Sequence, residues 1–284
     1  MNLQDTRVLV TGASGGIGRA LVGALLDEGA QVLLSGRDHQ ALSTVVQHHA
    51  ERGRTAVFAA DLTDESHRAR LCEFAARWHG GIDILINNAA ISDFALLTSQ
   101  PPESLDSAIA TNLVAPIDLC RRLASRLERS EQAHIVNIGS VFGTIGFAGN
   151  SVYCATKFGL RGFSEALRRE LADTSIKVHY FAPRATRTAF NSDLVDDLNA
   201  ALGNATDDPT EVAQNIVRAL QADRLEYVIG WPEKFFARLN ALLPRLVDMA
   251  LRPKLPTIRD FAARSASPAR STYLTSTAKP REII

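Results

Sequence analysis

Residues 7–18 read Arg7-Val8-Leu9-Val10-Thr11-Gly12-Ala13-Ser14-Gly15-Gly16-Ile17-Gly18. The run 7–10 is short, apolar and rich in β-formers, as expected of a strand buried on both faces. A glycine turn follows at once. From 17 to 28, Ile17, Leu21, Leu25 and Leu26 recur near helical spacing until Gly29 stops the helix. Strand, glycine turn and helix start is the context a dinucleotide needs. Residues without a Cβ let the backbone approach a pyrophosphate, and the free N–H groups of the first helical turn face the anion. Ser14 replaces the middle glycine of the common G-x-G-x-x-G spacing. A plain tight turn is the competing reading, and the position directly after a first strand argues against it.

The alternation continues outward from this unit. Strands are predicted at 7–10, 31–35, 55–60, 82–87, 134–138, 177–182 and 226–229, and helices at 17–28, near 40–52, and at 64–78, 105–128, 152–172 and 209–221. Strands separated by helices call for a parallel sheet covered on both faces, with right-handed crossovers. The expected fold is therefore α/β, a single doubly wound domain over residues 1–230 with a seven-stranded parallel sheet. Residues 231–264 read as a C-terminal amphipathic helical extension. Residues 265–284 contain few large apolar side chains and are expected to form a mobile tail.

Composition narrows the function classes. Of 284 residues, 31 are Lys or Arg and 31 are Asp or Glu, so the zero net charge gives no reason to expect a nucleic-acid partner. Cys72, Cys120 and Cys154 are odd in number, far apart and without a C-x-x-C pair. Neither a disulfide framework nor a zinc or other metal site is expected, and a reducing, cytoplasmic setting fits. The first residues have no basic region followed by a longer apolar one, so no signal peptide is expected. No apolar run reaches the length of a membrane span.

The end of the second strand selects the cofactor. A carboxylate there would hold a ribose 2′-hydroxyl. The chain instead reads Leu33-Leu34-Ser35-Gly36-Arg37-Asp38, with Gly36 in the expected carboxylate position. A guanidinium suits a 2′-phosphate through paired charged hydrogen bonds. NADP(H) is expected over NAD(H). In the alternative, Arg37 is a surface turn residue and Asp38 swings in to bind the ribose.

Tyr153 and Lys157 are four residues apart on a predicted helix, thirteen and seventeen residues after Ser140. At i and i+4 they share a face. A free phenol has a pKa of about 10, and a fixed ammonium beside it favours the phenolate. A serine hydroxyl can donate a hydrogen bond to a carbonyl oxygen, so the three groups together suit proton delivery to a carbonyl that receives a hydride. Taken alone, a Tyr-x-x-x-Lys pair arises often by chance.

Taken in order and at these spacings, the motifs resemble the short-chain dehydrogenase/reductase family over residues 7–229. The resemblance implies a Rossmann fold and an NADP(H)-dependent oxidoreductase that interconverts a carbonyl and a secondary alcohol, with Tyr153 as general acid and base. It makes Gly12, Ser14, Gly15, Gly16, Ile17 and Gly18 the cofactor loop, joined by Arg37. Asp61 and Leu62 match the adenine-contacting element. Asn88, Ala89 and Ala90, in Asn87-Asn88-Ala89-Ala90, match an Asn-Asn-Ala-Gly element whose final glycine is Ala90 here. Pro183 and Thr188 match the nicotinamide element. Asn112, Ser140, Tyr153 and Lys157 match the catalytic positions. By the resemblance, Tyr153 and Lys157 also lie along the cofactor, Lys157 holds the ribose hydroxyls and lowers the Tyr153 pKa, and Asn112 fixes a water that relays protons. A homodimer or homotetramer is implied, with the Tyr153 helix often packed between subunits. The family's Pro-Gly after the sixth strand is Pro183-Arg184 here. Arg184 either binds an anionic substrate group or points outward beside the cofactor phosphates. Two rival readings on the same fold are a cofactor-sensing binding protein and a membrane-peripheral interaction protein.

The loop 141–152 carries Phe142, Ile145 and Phe147 and no charge, with Phe94 and Phe190 in neighbouring loops. In this fold these loops gather where substrate binds, pointing to a small or lipid-like apolar carbonyl or alcohol; core or dimer packing is the alternative. Leu194, Leu198 and Leu202 suggest a short mobile lid over the site. In 231–251, Phe235, Phe236, Leu239, Leu242, Leu243, Leu246 and Val247 form a helical stripe opposite Lys234, Arg238, Arg245 and Arg252. Pro244 should kink this segment or start a second helix. Such a helix either lies on a membrane surface or packs against its own domain or a second subunit.

Overall fold

The structure is a computed structural model that describes residues 1–49 and 54–265. Seven parallel strands, β1 (Arg7–Thr11), β2 (Gln31–Gly36), β3 (Thr55–Ala59), β4 (Ile84–Asn87), β5 (His134–Ile138), β6 (Lys177–Ala182) and β7 (Glu226–Val228), form one sheet in the order β3-β2-β1-β4-β5-β6-β7. The helices α1 (Gly16–Asp27), α2 (His39–Gln47), α3 (Glu65–Arg77), α4 (Pro102–Ile109), α5 (Ala115–Leu127), α6 (Ser151–Glu170), α7 (Asp193–Ala201) and α8 (Pro209–Gln221) are threaded among them. Three more, α9 (Glu233–Leu242), α10 (Pro244–Leu251) and α11 (Leu255–Ser265), follow β7.

The continuous apolar runs of the strands are explained by two cores. Side chains alternate across a strand, so neighbours in sequence enter opposite layers. Val8, Val10, Val32, Leu34, Ile84 and Ile86 join Leu21, Leu25, Ile216 and Leu220 of α1 and α8 on one face. Leu9, Leu33, Leu85 and Ile135 join Leu71, Leu119 and Leu123 of α3 and α5 on the other. Each fully buried Leu, Ile or Val stabilises the fold by about 1.5–3 kcal/mol, which makes a one-residue slip of register costly on both faces.

Sheet order reverses between β1 and β4. That switch point opens a crevice at the carboxyl ends of the strands. Thr11 and Asn88 lock its two sides together. Thr11 Oγ1 accepts from the backbone N–H groups of Asn88 and Ala89 at 3.0 and 3.1 Å, and Asn88 Nδ2 donates to the carbonyls of Thr11 and Gly12 at 2.9 and 3.2 Å.

Two sequence expectations change, and the alternative left open at Pro244 is decided. The helix expected over 105–128 is α4 and α5, separated by a π-turn at Ala110–Val114. Pro116 has no N–H and removes the donor that a regular helix would offer the Asn112 carbonyl, so the chain takes up an extra residue there. Pro244 starts a second helix, α10. The helix read as a mobile lid, α7, packs through Leu194, Leu198 and Leu202 against Ile258 and Phe261 of α11, together with Phe94 and Phe147. The expected tail beyond Ser265, and residues 50–53 at the end of the second expected helix, lie outside the described residues.

At the opposite end of the sheet, His134 of β5 and His179 of β6 are buried and hydrogen-bonded, Nδ1 to Nε2, at 2.8 Å. His179 Nδ1 lies 2.9 Å from the Arg224 carbonyl and must donate to it, so His134 Nδ1 donates to His179 Nε2. Asp223, close enough to complete a three-ligand set, is paired with Lys177. Both imidazole nitrogens that would turn to a cation are committed to each other.

Candidate active site

One cavity of about 2260 Å³ runs along the carboxyl ends of the strands, from the glycine turn to α10. Gly12, Ser14, Gly15, Gly16, Ile17, Gly18, Arg37, Asp61, Leu62, Asn88, Ala89 and Ala90 line one part of it. Ser140, Tyr153, Lys157, Pro183 and Thr188 line the next.

The glycine turn has the geometry of a cradle. Gly12 has φ +63°, and a Cβ there would come 2.8 Å from Ala89 Cα, so both conformation and space call for glycine. A Cβ on Gly16 would strike Thr188, which brings the loop after β6 against the start of α1. Gly15, at the N-cap of α1, has no side chain to cap the helix, so its first N–H groups remain available to an anion. Backbone donors, a glycine turn and an adjacent threonine fit a dinucleotide pyrophosphate.

Arg37 is exposed at the edge of the cavity, and among the described residues no ion pair engages it. Asp38 is committed elsewhere. Its carboxylate caps α2, accepting from the N–H groups of Gln40 and Ala41 at 2.8 and 3.2 Å. Turning it inward to a ribose would uncap the helix at about 1 kcal/mol. Ser14 stands close to Gly36, with Oγ 3.3 Å from where a Cβ on Gly36 would lie. Asp61 accepts from the Thr63 N–H at 2.9 Å and hydroxyl at 2.8 Å, which fixes its carboxylate at the cavity wall.

The residues expected to do chemistry converge. Tyr153 and Lys157 share one face of α6, and Ser140 lies two residues past the end of β5. A hydrogen bond joins the Tyr153 phenol to the Ser140 side chain, and Ser140 Oγ also accepts from the Phe142 N–H at 3.1 Å. The ammonium of Lys157 is buried, donates to the Ile138 carbonyl at 2.9 Å and lies 5.7 Å from the centre of the Tyr153 ring. Phe142 stands edge-on to Tyr153 and Phe190 is tilted against it, with ring centres 6.4 and 6.0 Å away.

Burial governs the titration of both Tyr153 and Lys157. Enclosure by protein pushes the Tyr153 phenol up to about 12, and the hydrogen bond to Ser140 offsets only part of that. Lys157 does not reverse it: its ammonium is turned to a backbone carbonyl rather than to the phenol oxygen, and burial brings its own pKa down to about 8. The group poised near neutral pH is the lysine.

Asn112 lies in the π-turn and is fully buried. Its side chain donates to the Ile91 carbonyl and accepts from the Ile91 N–H, both at 2.8 Å, and also donates to Thr156 Oγ1 at 3.2 Å. Thr156 Oγ1 in turn donates to the Tyr153 carbonyl at 2.8 Å. The Asn112 amide therefore braces the loop after β4 against the helix that carries Tyr153.

Arg184 serves neither of its two expected roles. Nε and Nη2 donate to Asp207 Oδ1 at 2.9 and 2.6 Å, and Nη1 reaches Glu233 Oε2 at 3.3 Å. The guanidinium ties the loop after β6 to the start of α9.

Phe94, Phe142, Ile145, Phe147 and Phe190 all line the cavity beyond Tyr153. Sequence reasoning missed the far wall: Val247, Ala250, Leu251, Lys254 and Ser265, from α10 to α11, also face it. Ser265 Oγ donates to the Phe94 carbonyl at 3.2 Å, closing α11 over this end. The spacing of Ile258, Phe261 and Ala262 was the available signal that α11 covers something.

A family model described as short chain dehydrogenase matches residues 6–199. The chain belongs to the short chain dehydrogenase family. It is therefore an oxidoreductase of the nicotinamide-dinucleotide-binding type. The chain is 34% identical over 236 residues to 3-oxoacyl-[acyl-carrier-protein] reductase FabG of Vibrio harveyi, covering 81% of this chain and 95% of that protein. A short-chain dehydrogenase from Sphingobium yanoikuyae in complex with NADPH superimposes with a TM-score of 0.72 at 28% identity, over 86% of this chain and 95% of that one. A short chain dehydrogenase/reductase from Burkholderia phymatum in complex with NAD gives 0.78 at 20% identity, over 87% and 96%, a likeness of fold. In this short-chain dehydrogenase, helices α9–α11 lie wholly beyond the residues the family model matches.

Proposed function

We propose that this short-chain dehydrogenase is an NADP(H)-dependent oxidoreductase that interconverts a carbonyl and a secondary alcohol on an apolar substrate. The observation that carries the reading is the convergence of Ser140, Tyr153 and Lys157 on one cavity wall, between a glycine cradle and a phenylalanine-lined end. Arg37, exposed at the cavity edge and without an ion-pair partner among the described residues, supports the 2′-phosphate form of the cofactor, and the capping role of Asp38 speaks against the ribose-binding alternative.

When bound, the nicotinamide supplies or accepts the hydride. The glycine turn and the α1 N–H groups would hold the pyrophosphate, Pro183 and Thr188 the nicotinamide end, and Lys157 the ribose hydroxyls. In reduction, negative charge grows on the carbonyl oxygen. Ser140 donates a hydrogen bond to it, and Tyr153, kept protonated by its surroundings, delivers the proton. Lys157, near its own titration point, can return a proton to the phenol. Asn112 is a positioning residue that holds α6 in register with the loop after β4. In oxidation the same groups work in reverse. The exposed apolar side chains Ile109, Val114 and Phe158, near the Tyr153 helix, support a homodimer or homotetramer through this face.

The test is Tyr153→Phe assayed with NADPH over a panel of ketones and aldehydes of increasing chain length. The variant is expected to fold, to bind NADPH as the wild type does, and to lose about 10²–10⁴ of its turnover. Undiminished turnover rules the mechanism out.

A further inference from the structure

The first two helices after β7 expose what soluble helices usually bury. Leu242 is 80% exposed, Trp231 72%, Met249 65%, Leu243 53% and Phe235 51%. Within α9 and α10 only Ala237 and Val247 are buried. These apolar side chains therefore do not serve to pack the hairpin on its own domain. Exposed apolar surface on this scale marks an interaction site.

Charge selects the partner. Arg238, Arg245 and Arg252 are exposed and recur at heptad steps beside the apolar stripe. Of the two acids in these helices, Glu233 is held by Arg184, which leaves Asp248 alone against them. A second copy docking through this patch with its helices antiparallel, about a two-fold axis across them, would bring the arginine rows face to face. An apolar stripe flanked by arginines complements anionic headgroups above an acyl layer.

The cavity connects with this surface. Phe236, Val247, Ala250 and Leu251, from the same two helices, line its wall, and the passage continues past Phe142 and Phe190 to Tyr153.

We propose that the α9–α10 hairpin docks on an anionic bilayer and that the cavity takes its carbonyl substrate from the lipid. The docking stands on the surface alone; the route rests on the proposed reductase activity.

The experiment is co-sedimentation of the full chain with phosphatidylcholine vesicles, with and without phosphatidylglycerol. Two variants are compared, Leu242→Asp/Met249→Asp and Arg238→Glu/Arg245→Glu; none of these four residues lines the cavity. Wild type is expected to bind the anionic vesicles and to be released by salt. Binding should weaken about fivefold for each arginine charge removed near the surface, and the apolar double variant should remain in the supernatant. A wild type that sediments with neither vesicle overturns the docking, as does a Leu242→Asp/Met249→Asp variant that binds as before. A double variant that instead changes oligomeric size, with no vesicle binding by the wild type, assigns the patch to self-association and also overturns it. For the route, both variants should keep wild-type turnover of a water-soluble ketone while turnover of a vesicle-borne long-chain ketone falls in parallel with binding. Equal loss or no loss on both substrates refutes the route. Absence of turnover on every carbonyl refutes the reductase reading and leaves the sedimentation result standing.

Discussion

Replacing Arg37 by alanine isolates the interaction that sets cofactor preference. The side chain is exposed and without an ion-pair partner among the described residues, so its removal should leave the fold almost untouched. A guanidinium meeting a phosphate makes two charge-assisted hydrogen bonds, each worth about 1.5–3 kcal/mol. Solvent at the cavity edge screens them, so a combined loss of about 2–4 kcal/mol is the reasonable range. At 1.4 kcal/mol per decade this weakens NADPH binding by roughly 30- to 1000-fold, with NADH nearly unchanged. Titration calorimetry with both cofactors reads this without a substrate. Gly36→Asp provides the converse. A Cβ there would lie 3.3 Å from Ser14 Oγ and 3.4 Å from Leu42 Cδ2, a tight fit that a rotating hydroxyl can relieve. The added carboxylate repels a 2′-phosphate and accepts from a 2′-hydroxyl, so this variant should favour NADH. An unchanged ratio of the two dissociation constants in Arg37→Ala refutes the reasoning, because the preference would then have to come from a group other than Arg37.

Three further outcomes follow from the charges in and around the sheet. Burial sets Lys157 at about 8, below its ordinary value of 10.5, so its ammonium is present below that pH and lost above it. Reductive kcat/KM should fall about tenfold per pH unit beyond about 8; a profile that stays flat well past this point shows that the charge is not needed. His134 is pushed down to about 4 from 6.5, mainly by burial, so the folded protein resists taking up a proton that the unfolded chain accepts. Its stabilising contribution is whole above about 6.5 and is lost as pH falls through about 4, a change on the order of 3 kcal/mol. Melting curves against pH should show it, and His134→Asn, which keeps a donor for His179 while removing the titration, should flatten it; identical curves refute the assignment. Arg184→Met should leave Asp207 and Glu233 unpaired at a cost of about 2 kcal/mol, lowering Tm by roughly 4–8 °C, with substrate KM little changed. A large rise in KM at constant Tm would return Arg184 to substrate binding.

Much of the site was legible because its signals are local. The glycine turn couples a strand end to a helix start within a few residues, and Tyr153 and Lys157 are joined by a single helical turn. The β-strands were legible for a related reason: Leu9 and Leu33 enter one core while Val8, Val10, Val32 and Leu34 enter the other, so the runs are apolar throughout. What sequence spacing does not carry is partnership at a distance. Arg184 meets Asp207 and Glu233 across 23 and 49 residues. The burial that lowers Lys157 and raises Tyr153 depends on the enclosure of α6 against β5. Similarly, Asn112 was recognisable by position, but its grip on Ile91 depends on a π-turn induced by a proline further along the chain.

The departure at Arg184 and the segment beyond β7 are best understood as one device. A glycine at 184 would leave the half-buried Asp207 without its cation and Glu233 without its partner at the start of α9. The same loop carries Pro183 and Thr188, and Thr188 stands against Gly16 in the cofactor cradle. Asn240 strengthens the seat of α9 by donating to the Thr144 carbonyl at 2.8 Å, in the loop that follows Ser140. The α9–α10 hairpin is therefore anchored at both ends of the catalytic wall: through Arg184 to the nicotinamide loop and through Asn240 to the serine loop. If the hairpin docks as proposed, its displacement would reach both loops along these hydrogen bonds. Asn240→Ala, which cuts the second path and leaves the apolar surface intact, should separate the two effects: vesicle binding unchanged, with lower kcat on the vesicle-borne ketone. Equal kcat in that variant would reduce the hairpin to a passive support.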